Sequence, residues 1–351
     1  MMEEETSLEF HLGGYRTSIV FSSMFPQDSE EQNLLIVQDE NTAQQFPQPK
    51  ERTVVIPSGE GGKSGASVEQ ILDRAFQAGL DRSSLFQGIG GGVVCDVTAF
   101  AASLFMRGSR LRLVPTTLLA MVDAAFGGKT AINFHGWKNM VGTFYPAEQI
   151  WINPRTLESL PKREFFSGMA EVIKSAMLRD PELFSLLEHI ATTNISSGSL
   201  EQDTLTEVIR RSLGVKAWYV TQDLTEQQVR VHLNLGHTFA HGLESATRFE
   251  QFTHGEAVAW GLYRAIDAGL RLGITGKPYA ERVRNLLKKL GYKDILSGID
   301  PEAVLLAMQQ DKKKKGGTLR FILQKDLCNT VVIPLEEKIV REILLRGLKN
   351  P

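Results

Sequence analysis

The chain has 351 residues, with 39 Lys and Arg against 41 Asp and Glu and a formal net charge of -2. This balance lacks the basic excess of a protein that binds nucleic acid, so we expect no such partner. The longest apolar runs, such as Ala99–Met106, are far shorter than the ~20 residues of a membrane span, and the acidic start Met1–Ser7 does not resemble a secretory signal. We therefore expect a cytoplasmic protein without a membrane partner. Cys95 and Cys328, the two cysteines, offer neither a disulfide framework nor a thiolate metal site.

The first part of the chain, up to about residue 155, alternates short β-branched runs with helical stretches, which is typical of a parallel sheet wrapped by helices. The predicted strands are Asn33–Asp39, Thr53–Pro57, Leu85–Ile89 and Leu111–Pro115, and the predicted helices are Val68–Ala78 and Val93–Met106. Residues 1–155 are therefore predicted to form an α/β domain.

The rest of the chain has apolar residues at three- and four-residue spacing and few β-branched runs, which favours helices. The predicted helices are Glu201–Tyr219, Ala257–Leu272, Tyr279–Leu290 and Leu335–Leu348, and two strand-like runs, Thr318–Leu323 and Asn329–Ile333, predict a hairpin. Pro154 and Pro161 mark a linker at Asn153–Lys162. We therefore predict a second, helical domain over residues 156–351.

Two glycine-rich loops are candidates for binding a nucleotide. Gly88–Gly92 follows a predicted strand and opens a helix, where free N–H groups favour a phosphate, although a tight turn explains the glycines equally well. Pro57–Lys63 carries Glu60 and Lys63 in a second such loop, which is otherwise an ordinary solvated loop. Asp39, at the end of a strand, can accept ribose hydroxyls or simply begin a turn.

A third segment concentrates polar groups in apolar surroundings. It runs from Val114 to Asn139 and carries Thr116, Thr117, Asp123, Lys129, Lys138 and Asn139. A charge among glycines and apolar side chains is costly unless an opposite charge meets it, and a ligand phosphate would do so. Alternatively the lysines reach water along their stems.

Three histidines and one carboxylate form the most informative group. His237 and His241 lie one helical turn apart, His254 opens a later helix, and Glu171 lies in an apolar segment. Two imidazoles and one carboxylate commonly hold a catalytic Zn²⁺ with an open position. The spacing leaves two arrangements: either the i,i+4 pair binds the metal, or one of that pair joins His254 while the other contacts substrate.

Further cations accompany this group and indicate a polyanionic substrate. They are Lys174, Lys216, Arg230 and the run Lys312–Lys315, with Asn234 and Asp311 beside them. Each is an ordinary surface residue by default, except that Lys174 lies one turn after Glu171 on the same helix face. With a pyrophosphate-binding loop, these residues suggest a dinucleotide cofactor as well.

Taken in order, several blocks of sequence indicate a family. The blocks are Gly90–Asp96, Met106–Gly108, Val114–Ala120, Val122–Thr130, Lys138–Asn139, Ala170–Lys174, Leu233–His241, His254–Glu256 and Asp311–Lys313. Together they resemble the 3-dehydroquinate synthases, the members of the sugar phosphate cyclase family that act in the shikimate pathway of chorismate and aromatic amino acid biosynthesis. The resemblance extends from about Asp39 to Leu323, which is most of the chain.

The resemblance implies a Rossmann-like NAD-binding domain, an all-α domain that binds metal and substrate, and a homodimer. Its cofactors are NAD⁺ and a divalent metal, Zn²⁺ or Co²⁺. By matching position, the metal ligands are Glu171, His237 and His254. The NAD⁺-binding residues are Asp39, Glu60, Lys63, Gly91, Gly92, Asp96, Thr116, Thr117, Asp123 and Lys138. The residues facing substrate are Arg107, Lys129, Asn139, Lys174, Lys216, Arg230, Asn234, His241 and one of Lys312 or Lys313; the arginine like Arg107 reaches across the dimer.

The activity that the resemblance implies is a carbon–oxygen lyase reaction on a phosphorylated sugar acid. It converts 3-deoxy-D-arabino-heptulosonate 7-phosphate to 3-dehydroquinate by transient oxidation with NAD⁺, β-elimination of phosphate, reduction and intramolecular aldol closure. Three alternatives stay open: another cyclase of the valiolone or scyllo-inosose type, a metal-dependent polyol dehydrogenase of similar fold, and a silent protein that keeps NAD⁺ as a structural ligand.

The sequence also departs from the family at several small residues. Cys95 and Ala99 replace glycines, Ala124 and Ala125 replace a serine pair, and Ala240 and Gln228 replace further glycines. None of these changes removes a candidate ligand or charge. They bear on the conformation of the loop beside the pyrophosphate and on cofactor affinity.

Overall fold

The computed structural model describes residues 6–27, 31, 33–192, 200–314 and 320–349, and for residues 311–314 it describes the backbone alone. The chain divides into two compact units. The first comprises Met1–Pro161 and Glu201–Arg230, and the second comprises Lys162–Leu200 and Val231–Pro351. Within the described ranges, no helix combines the length and the apolar character needed to cross a membrane.

The elements follow one another along the chain as two sets. The strands are β1 Thr6–Leu12, β2 Tyr15–Phe21, β3 Leu34–Asp39, β4 Thr53–Ile56, β5 Leu85–Gly90, β6 Arg110–Pro115, β7 Lys129–Phe134, β8 Trp137–Phe144, β9 Gln149–Ile152, β10 Leu296–Ser297, β11 Arg320–Asp326, β12 Asn329–Pro334 and β13 Leu348–Lys349. The helices are α1 Glu40–Gln45, α2 Gly65–Gln77, α3 Gly92–Leu104, α4 Lys162–Arg179, α5 Pro181–Ile190, α6 Gln202–Gln222, α7 His237–Ala246, α8 His254–Arg271, α9 Lys277–Lys289, α10 Pro301–Lys314 and α11 Glu337–Gly347.

A seven-stranded sheet organises the first unit, in the order β1-β2-β9-β6-β5-β3-β4. Only β1 and β2 pair antiparallel, and the other neighbours are parallel. The central strands are nearly continuous apolar runs because helices cover both faces of such a sheet. Leu34, Ile36, Leu85, Ile89 and Val114 form one of its buried clusters. The predicted α/β fold class is therefore confirmed.

The sequence did not predict the chain's return to the first unit. The predicted bounds, 1–155 and 156–351, contain a single crossing, whereas Glu201–Arg230 packs with the first unit. Helix α6 contacts strand β1 and the π-helical turn Ala120–Ala124. Its apolar face carries a helical pattern, and this pattern does not reveal which unit the face is buried against.

The second unit is helical, as predicted, with α8 packed against α4, α7 and α11. The predicted hairpin is present as the antiparallel pair β11–β12, although Thr318, where its first strand was expected to begin, lies outside the described residues. Short strands β10 and β13 pair in parallel near the chain's end.

Candidate functional site

Glu171, His237 and His254 converge in the second unit. They come from α4, α7 and α8, and one ligand atom of each lies within 4.8 Å of the others. The Nε2 atoms of His237 and His254 lie 3.3 and 3.5 Å from Oε1 of Glu171. The three predicted ligands therefore face one point.

Both imidazoles stand at the start of a helix and each has its Nδ1 atom beside an acceptor. His237 Nδ1 lies 3.2 Å from the carbonyl oxygen of Leu235, and His254 Nδ1 lies 3.2 Å from Oε1 of Glu244. An acceptor at Nδ1 favours the tautomer that leaves the Nε2 lone pair for a metal. The contacts at Nδ1 therefore leave Nε2 of both rings as the atom that can bind a metal.

A capping box fixes where α8 begins. The Thr253 hydroxyl accepts from Glu256 N–H at 3.2 Å, and the Glu256 carboxylate accepts from Thr253 N–H at 2.8 Å. Arg163 holds the same carboxylate with two hydrogen bonds of 3.0 and 2.7 Å. These contacts satisfy free helix donors and hold His254 in the first turn.

The Glu171 carboxylate is 1% exposed and pairs with the buried Lys174 ammonium. Burial alone would raise the pKa of Glu171, but Lys174 and the two imidazoles hold it well below its usual range. Among the described residues, neither carboxylate oxygen receives a hydrogen bond of good geometry. A buried, ionised and incompletely satisfied carboxylate between two imidazoles fits a divalent cation.

The histidines differ in their electrostatics. Burial, followed by the nearby Lys174, lowers the pKa of His237. Burial opposes protonation of His254 too, but its contacts with Glu171 and Glu244 raise its pKa to about 10. His241 is exposed, with its ring 5.5 Å from that of His237 between centroids, and lies outside the group of three. Of the two arrangements that the sequence left open, the geometry favours the one that joins His237 and His254.

The first unit brings the predicted nucleotide residues to one edge of the sheet. Strands β6, β5 and β3 are neighbours, and the residues at or just after their carboxyl ends include Thr116, Gly91 and Asp39. Gly91 is the N-cap of α3, and Thr116 N–H donates to the Gly90 carbonyl at 2.9 Å. In open parallel sheets, ligands bind outside this edge.

Other predicted nucleotide residues already have protein partners there. Asp39 caps α1, its Oδ1 accepting from Thr42 N–H at 2.8 Å. Of the two roles expected for Asp39, this contact corresponds to beginning a turn. Its contact with a ribose stays a prediction. Thr117 likewise accepts from Ala120 N–H at 3.2 Å, and Gly92 is the first residue of α3.

Two ion pairs join the glycine loop at 57–63 to its surroundings. Lys63, buried, pairs with Asp96, whose pKa burial raises. Lys138 lies 3.3 Å from Glu60, and Asn133 donates to Glu60 at 2.7 Å. Burial opposes ionisation of Glu60, but Lys138 and Asn133 hold its pKa below the usual value. Four predicted residues are thus grouped in two pairs.

Residues predicted for NAD⁺ and for substrate also meet within the first unit. Lys216, on α6, donates to Oδ1 of Asp123 at 2.6 Å. Lys129, at the start of β7, pairs with Glu226, a residue in the left-handed backbone region. The return of α6 is what brings Lys216 and Glu226 to these partners.

Arg230 is 2% exposed and is held by backbone carbonyl and carboxylate groups. Its guanidinium donates to the Gly127 carbonyl at 3.1 Å, and its own N–H donates to Asp223 Oδ2 at 3.1 Å. A Cβ on Gly127 would lie 2.7 Å from Arg230 Nη2, and Gly127 has φ +115°, so only glycine fits there. Burial lowers the pKa of Arg230.

The remaining predicted residues lie at the margins of these groups. Arg107 and Asn139 are exposed and both have left-handed backbone, with φ 66° and 56°. Asn234 ends the short helix Val229–Asn234 and is partly exposed. The backbones of Lys312 and Lys313 belong to α10, but their side chains, and all of Lys315, lie outside the described residues.

Cys95 lies buried in α3 with its Sγ 3.8 Å from the Gly90 carbonyl. Burial raises the pKa of this thiol, which therefore stays protonated and unreactive. It packs behind the glycine loop as a small apolar residue.

Sequence reasoning missed Glu226 and Glu244. Glu226 lies in a polar loop without helical or strand periodicity. Glu244 does carry a signal, because it follows His237 by seven residues, two helical turns, and so shares its face of α7. A carboxylate on a ligand-bearing helix face is a candidate partner for a histidine.

Comparison with known proteins finds similar proteins over most of the chain. Family models described as 3-dehydroquinate synthase N-terminal and C-terminal match residues 53–167 and 168–314. A 3-dehydroquinate synthase of Prochlorococcus marinus (strain MIT 9313) is 42% identical over 297 residues, covering 85% of this chain and 79% of that protein.

Two solved structures share the fold. A 2-epi-5-epi-valiolone synthase from Streptomyces hygroscopicus subsp. jinggangensis, with NAD⁺ and Zn²⁺ bound, gives a TM-score of 0.84 at 26% identity over 93% of this chain and 95% of that one. A 2-deoxy-scyllo-inosose synthase complexed with carbaglucose-6-phosphate, NAD⁺ and Co²⁺ gives a TM-score of 0.85 at 23% identity, covering 98% of this chain and 100% of that one.

Proposed function

Since the chain belongs to the 3-dehydroquinate synthase family, we propose that it converts 3-deoxy-D-arabino-heptulosonate 7-phosphate to 3-dehydroquinate and phosphate. The observation that carries the proposal is the convergence of Glu171, His237 and His254. The presence of all three candidate ligands, together with Lys129, argues against a silent protein that keeps NAD⁺ only as a structural ligand. The reaction class is that of a lyase, with no net oxidation.

The proposed cofactors are NAD⁺ and one divalent ion, Zn²⁺ or Co²⁺, held by Glu171, His237 and His254. When bound, the ion supplies acidification of a substrate alcohol and NAD⁺ supplies a hydride acceptor. Both cofactors are present in the valiolone synthase structure named above. Lys174 keeps Glu171 ionised, so the carboxylate can serve as a ligand across the neutral pH range.

For NAD⁺ we propose the residues at the carboxyl edge of β3, β5 and β6 and those paired around them. Gly91 and Gly92 stand at the N-terminus of α3, a 13-residue helix whose free N–H groups would bind the pyrophosphate. Thr116, Thr117 and Asp39 lie at the same edge. The remaining proposed residues are Glu60, Lys63, Asp96, Asp123 and Lys138.

For the substrate's phosphate and carboxylate we propose the cations of both units. Lys129 and Lys216 now pair with Glu226 and Asp123, so the bound anion competes with those carboxylates. Arg230 is already fixed by backbone acceptors, which lowers the entropic cost of using it. Arg107, Asn139, Lys174, Asn234, His241 and Lys312 or Lys313 complete the proposed set.

We also propose a homodimer, which an exposed apolar face of the first unit supports. The hairpin β7–β8 exposes Phe134, Trp137, Met140, Val141 and Phe144, and Leu104 and Met106 are exposed at the end of α3. Thr143 of the hairpin hydrogen-bonds Ser103 at 3.0 Å, so the two groups adjoin. These side chains lie on both sides of the hairpin, and exposed apolar residues grouped in one element in this way mark an interaction site. The cytoplasmic location stays a prediction.

Phosphate release tests the proposed reaction. The purified protein, loaded with Zn²⁺ and NAD⁺, is expected to release phosphate from the heptulosonate phosphate. This release should stop when NAD⁺ is omitted or a chelator is added. The sugar phosphates that inosose and valiolone synthases cyclise serve as alternative substrates. Faster turnover of either would contradict the proposal, as would net NADH formation from polyols or no reaction with any substrate.

A further inference from the structure

Glu244 is a buried carboxylate that none of the proposed roles uses. It is 4% exposed and lies on α7, two turns after His237 and on the same face. Its Oε1 atom lies 3.2 Å from Nδ1 of His254, on the opposite side of that ring from the Nε2 atom that faces Glu171. The side chain therefore contacts the candidate ligand and not the metal position.

We propose that Glu244 is a positioning residue for the metal: its carboxylate accepts the Nδ1 proton of His254 and so fixes the ring with Nε2 toward Glu171. The inference rests on the proposed metal site. A carboxylate behind a ligating histidine sets the tautomer, limits rotation of the ring and increases the basicity of the ligand nitrogen. Each of these effects increases affinity for a divalent cation.

The two histidines depend on different kinds of acceptor. His237 Nδ1 faces a backbone carbonyl, that of Leu235, which no substitution removes. His254 Nδ1 faces a side chain. The geometry of the second ligand is therefore set by one replaceable residue, and the contribution of Glu244 can be measured by mutation.

The charges around the metal position also favour a role for Glu244 in binding the metal. Glu171 and Lys174 are both buried and their formal charges cancel, so a divalent ion beside them, with both imidazoles neutral, would give this group of residues a net charge of two positive units. The Glu244 carboxylate lowers this to one. Since uncompensated buried charge is expensive, Glu244 should favour the loaded state through charge as well as through the hydrogen bond.

Two substitutions separate these contributions. Glu244→Gln keeps an oxygen that can accept from His254 but removes the charge, whereas Glu244→Ala removes both. Glu250→Gln is the matched control, because Glu250 is exposed in the loop that joins α7 to α8 and loses the same charge. Circular dichroism and thermal unfolding of the metal-free proteins establish that each variant folds.

The first readout is the dissociation constant for Zn²⁺, measured by competition with a chelator. We expect Glu244→Ala to weaken binding about 10- to 100-fold, Glu244→Gln to weaken it less, and Glu250→Gln to match wild type. The second readout is the ¹H–¹⁵N signal of the His254 Nδ1 proton in the Zn²⁺-loaded protein. We expect slow solvent exchange in wild type and Glu250→Gln, and fast exchange in Glu244→Ala.

The outcomes distinguish this inference from the proposed function. If wild type binds Zn²⁺ but both Glu244 variants bind it equally well with slow exchange at His254, Glu244 has no positioning role and the metal site stands. Equal weakening in Glu250→Gln would also overturn the inference, because general charge would then be the cause. If wild type binds neither Zn²⁺ nor Co²⁺, the proposed metal site itself fails.

Discussion

Lys129 and Lys138 lie on the two strands of one hairpin, yet we propose them for different ligands, Lys129 for the substrate and Lys138 for NAD⁺. Lys129 on β7 pairs with Glu226, which lies in the loop after α6. Lys138 on β8 pairs with Glu60 of the glycine loop. Substituting Lys129 and Lys138 separately therefore tests which ligand each lysine contacts, because the two variants should affect different ligands.

We expect Lys129→Ala to raise the KM for the sugar phosphate about 10- to 100-fold, with little change in the dissociation constant for NAD⁺. Lys138→Ala should show the reverse pattern. The size follows from the loss of one hydrogen bond to a charged group, worth about 1.5–3 kcal/mol. Steady-state kinetics and NAD⁺ titration measure the two effects. Equal losses for both ligands in either variant would indicate damage to the hairpin and contradict the separate assignments.

At the scale of elements, helix α8 is positioned by its first turn. Gly255 N–H donates to the Ser167 hydroxyl at 3.0 Å, and a Cβ on Gly255 would lie 2.0 Å from the Ser167 carbonyl oxygen. Backbone cannot move aside as a flexible side chain can. Any larger residue must therefore push α8, with His254, away from α4, with Glu171.

We expect Gly255→Ala to lower the free energy of unfolding by about 1–3 kcal/mol and to weaken Zn²⁺ binding, because both helices carry ligands. Gly214→Ala is the control: Gly214 lies in the interior of α6 with open space around a Cβ, so alanine should be neutral or stabilise by up to about 1 kcal/mol. Urea unfolding measures the free energy of unfolding, and chelator competition measures the affinity for Zn²⁺. Wild-type stability and metal affinity in Gly255→Ala would show that α4 and α8 are not held by this close contact.

Elements with a strong local pattern were the ones that the sequence predicted. The apolar run that forms β3 and the periodic stretches that form α6 and α9 were found within a few residues of their bounds. The hairpin β7–β8 was missed, because β8 is largely exposed and the sequence of β7, KTAINF, does not alternate between polar and apolar residues even though the burial of its side chains alternates. Its turn, with positive φ at His135 and Gly136, matches a two-residue hairpin turn whose first position lacks the usual Asn or Asp.

The candidate site shows the same difference between contacts that a local pattern predicts and contacts that it does not. Spacing within one helix linked His237 to His241 and Glu171 to Lys174, and the structure brings the latter two together as an ion pair. Pairs that join distant segments, such as Lys216 with Asp123 and His254 with Glu244, depend on how elements pack. A single sequence carries no local signal for such pairs.

At the scale of the whole molecule, the exposed apolar face of the first unit concerns assembly. Met140 is 56% exposed on β8, within the group formed by the hairpin and the end of α3. Isolated exposed apolar residues are ordinary, and Phe76 on α2, 81% exposed, is one outside this group. If the face is the dimer interface, the two positions should respond differently to a charge.

We expect Met140→Glu to shift the protein from dimer to monomer, because each copy would bury an unpaired carboxylate in a self-complementary interface. Phe76→Glu, the control, should leave the mass unchanged. Analytical ultracentrifugation over a range of protein concentrations measures the dissociation constant of the dimer. The monomer should also lose the contact that Arg107 is proposed to make across the dimer. Phosphate-release activity should therefore fall as the dimers dissociate. A Met140→Glu protein that stays dimeric would exclude this face as the interface, and a wild-type protein that sediments as a monomer at every concentration would exclude the homodimer.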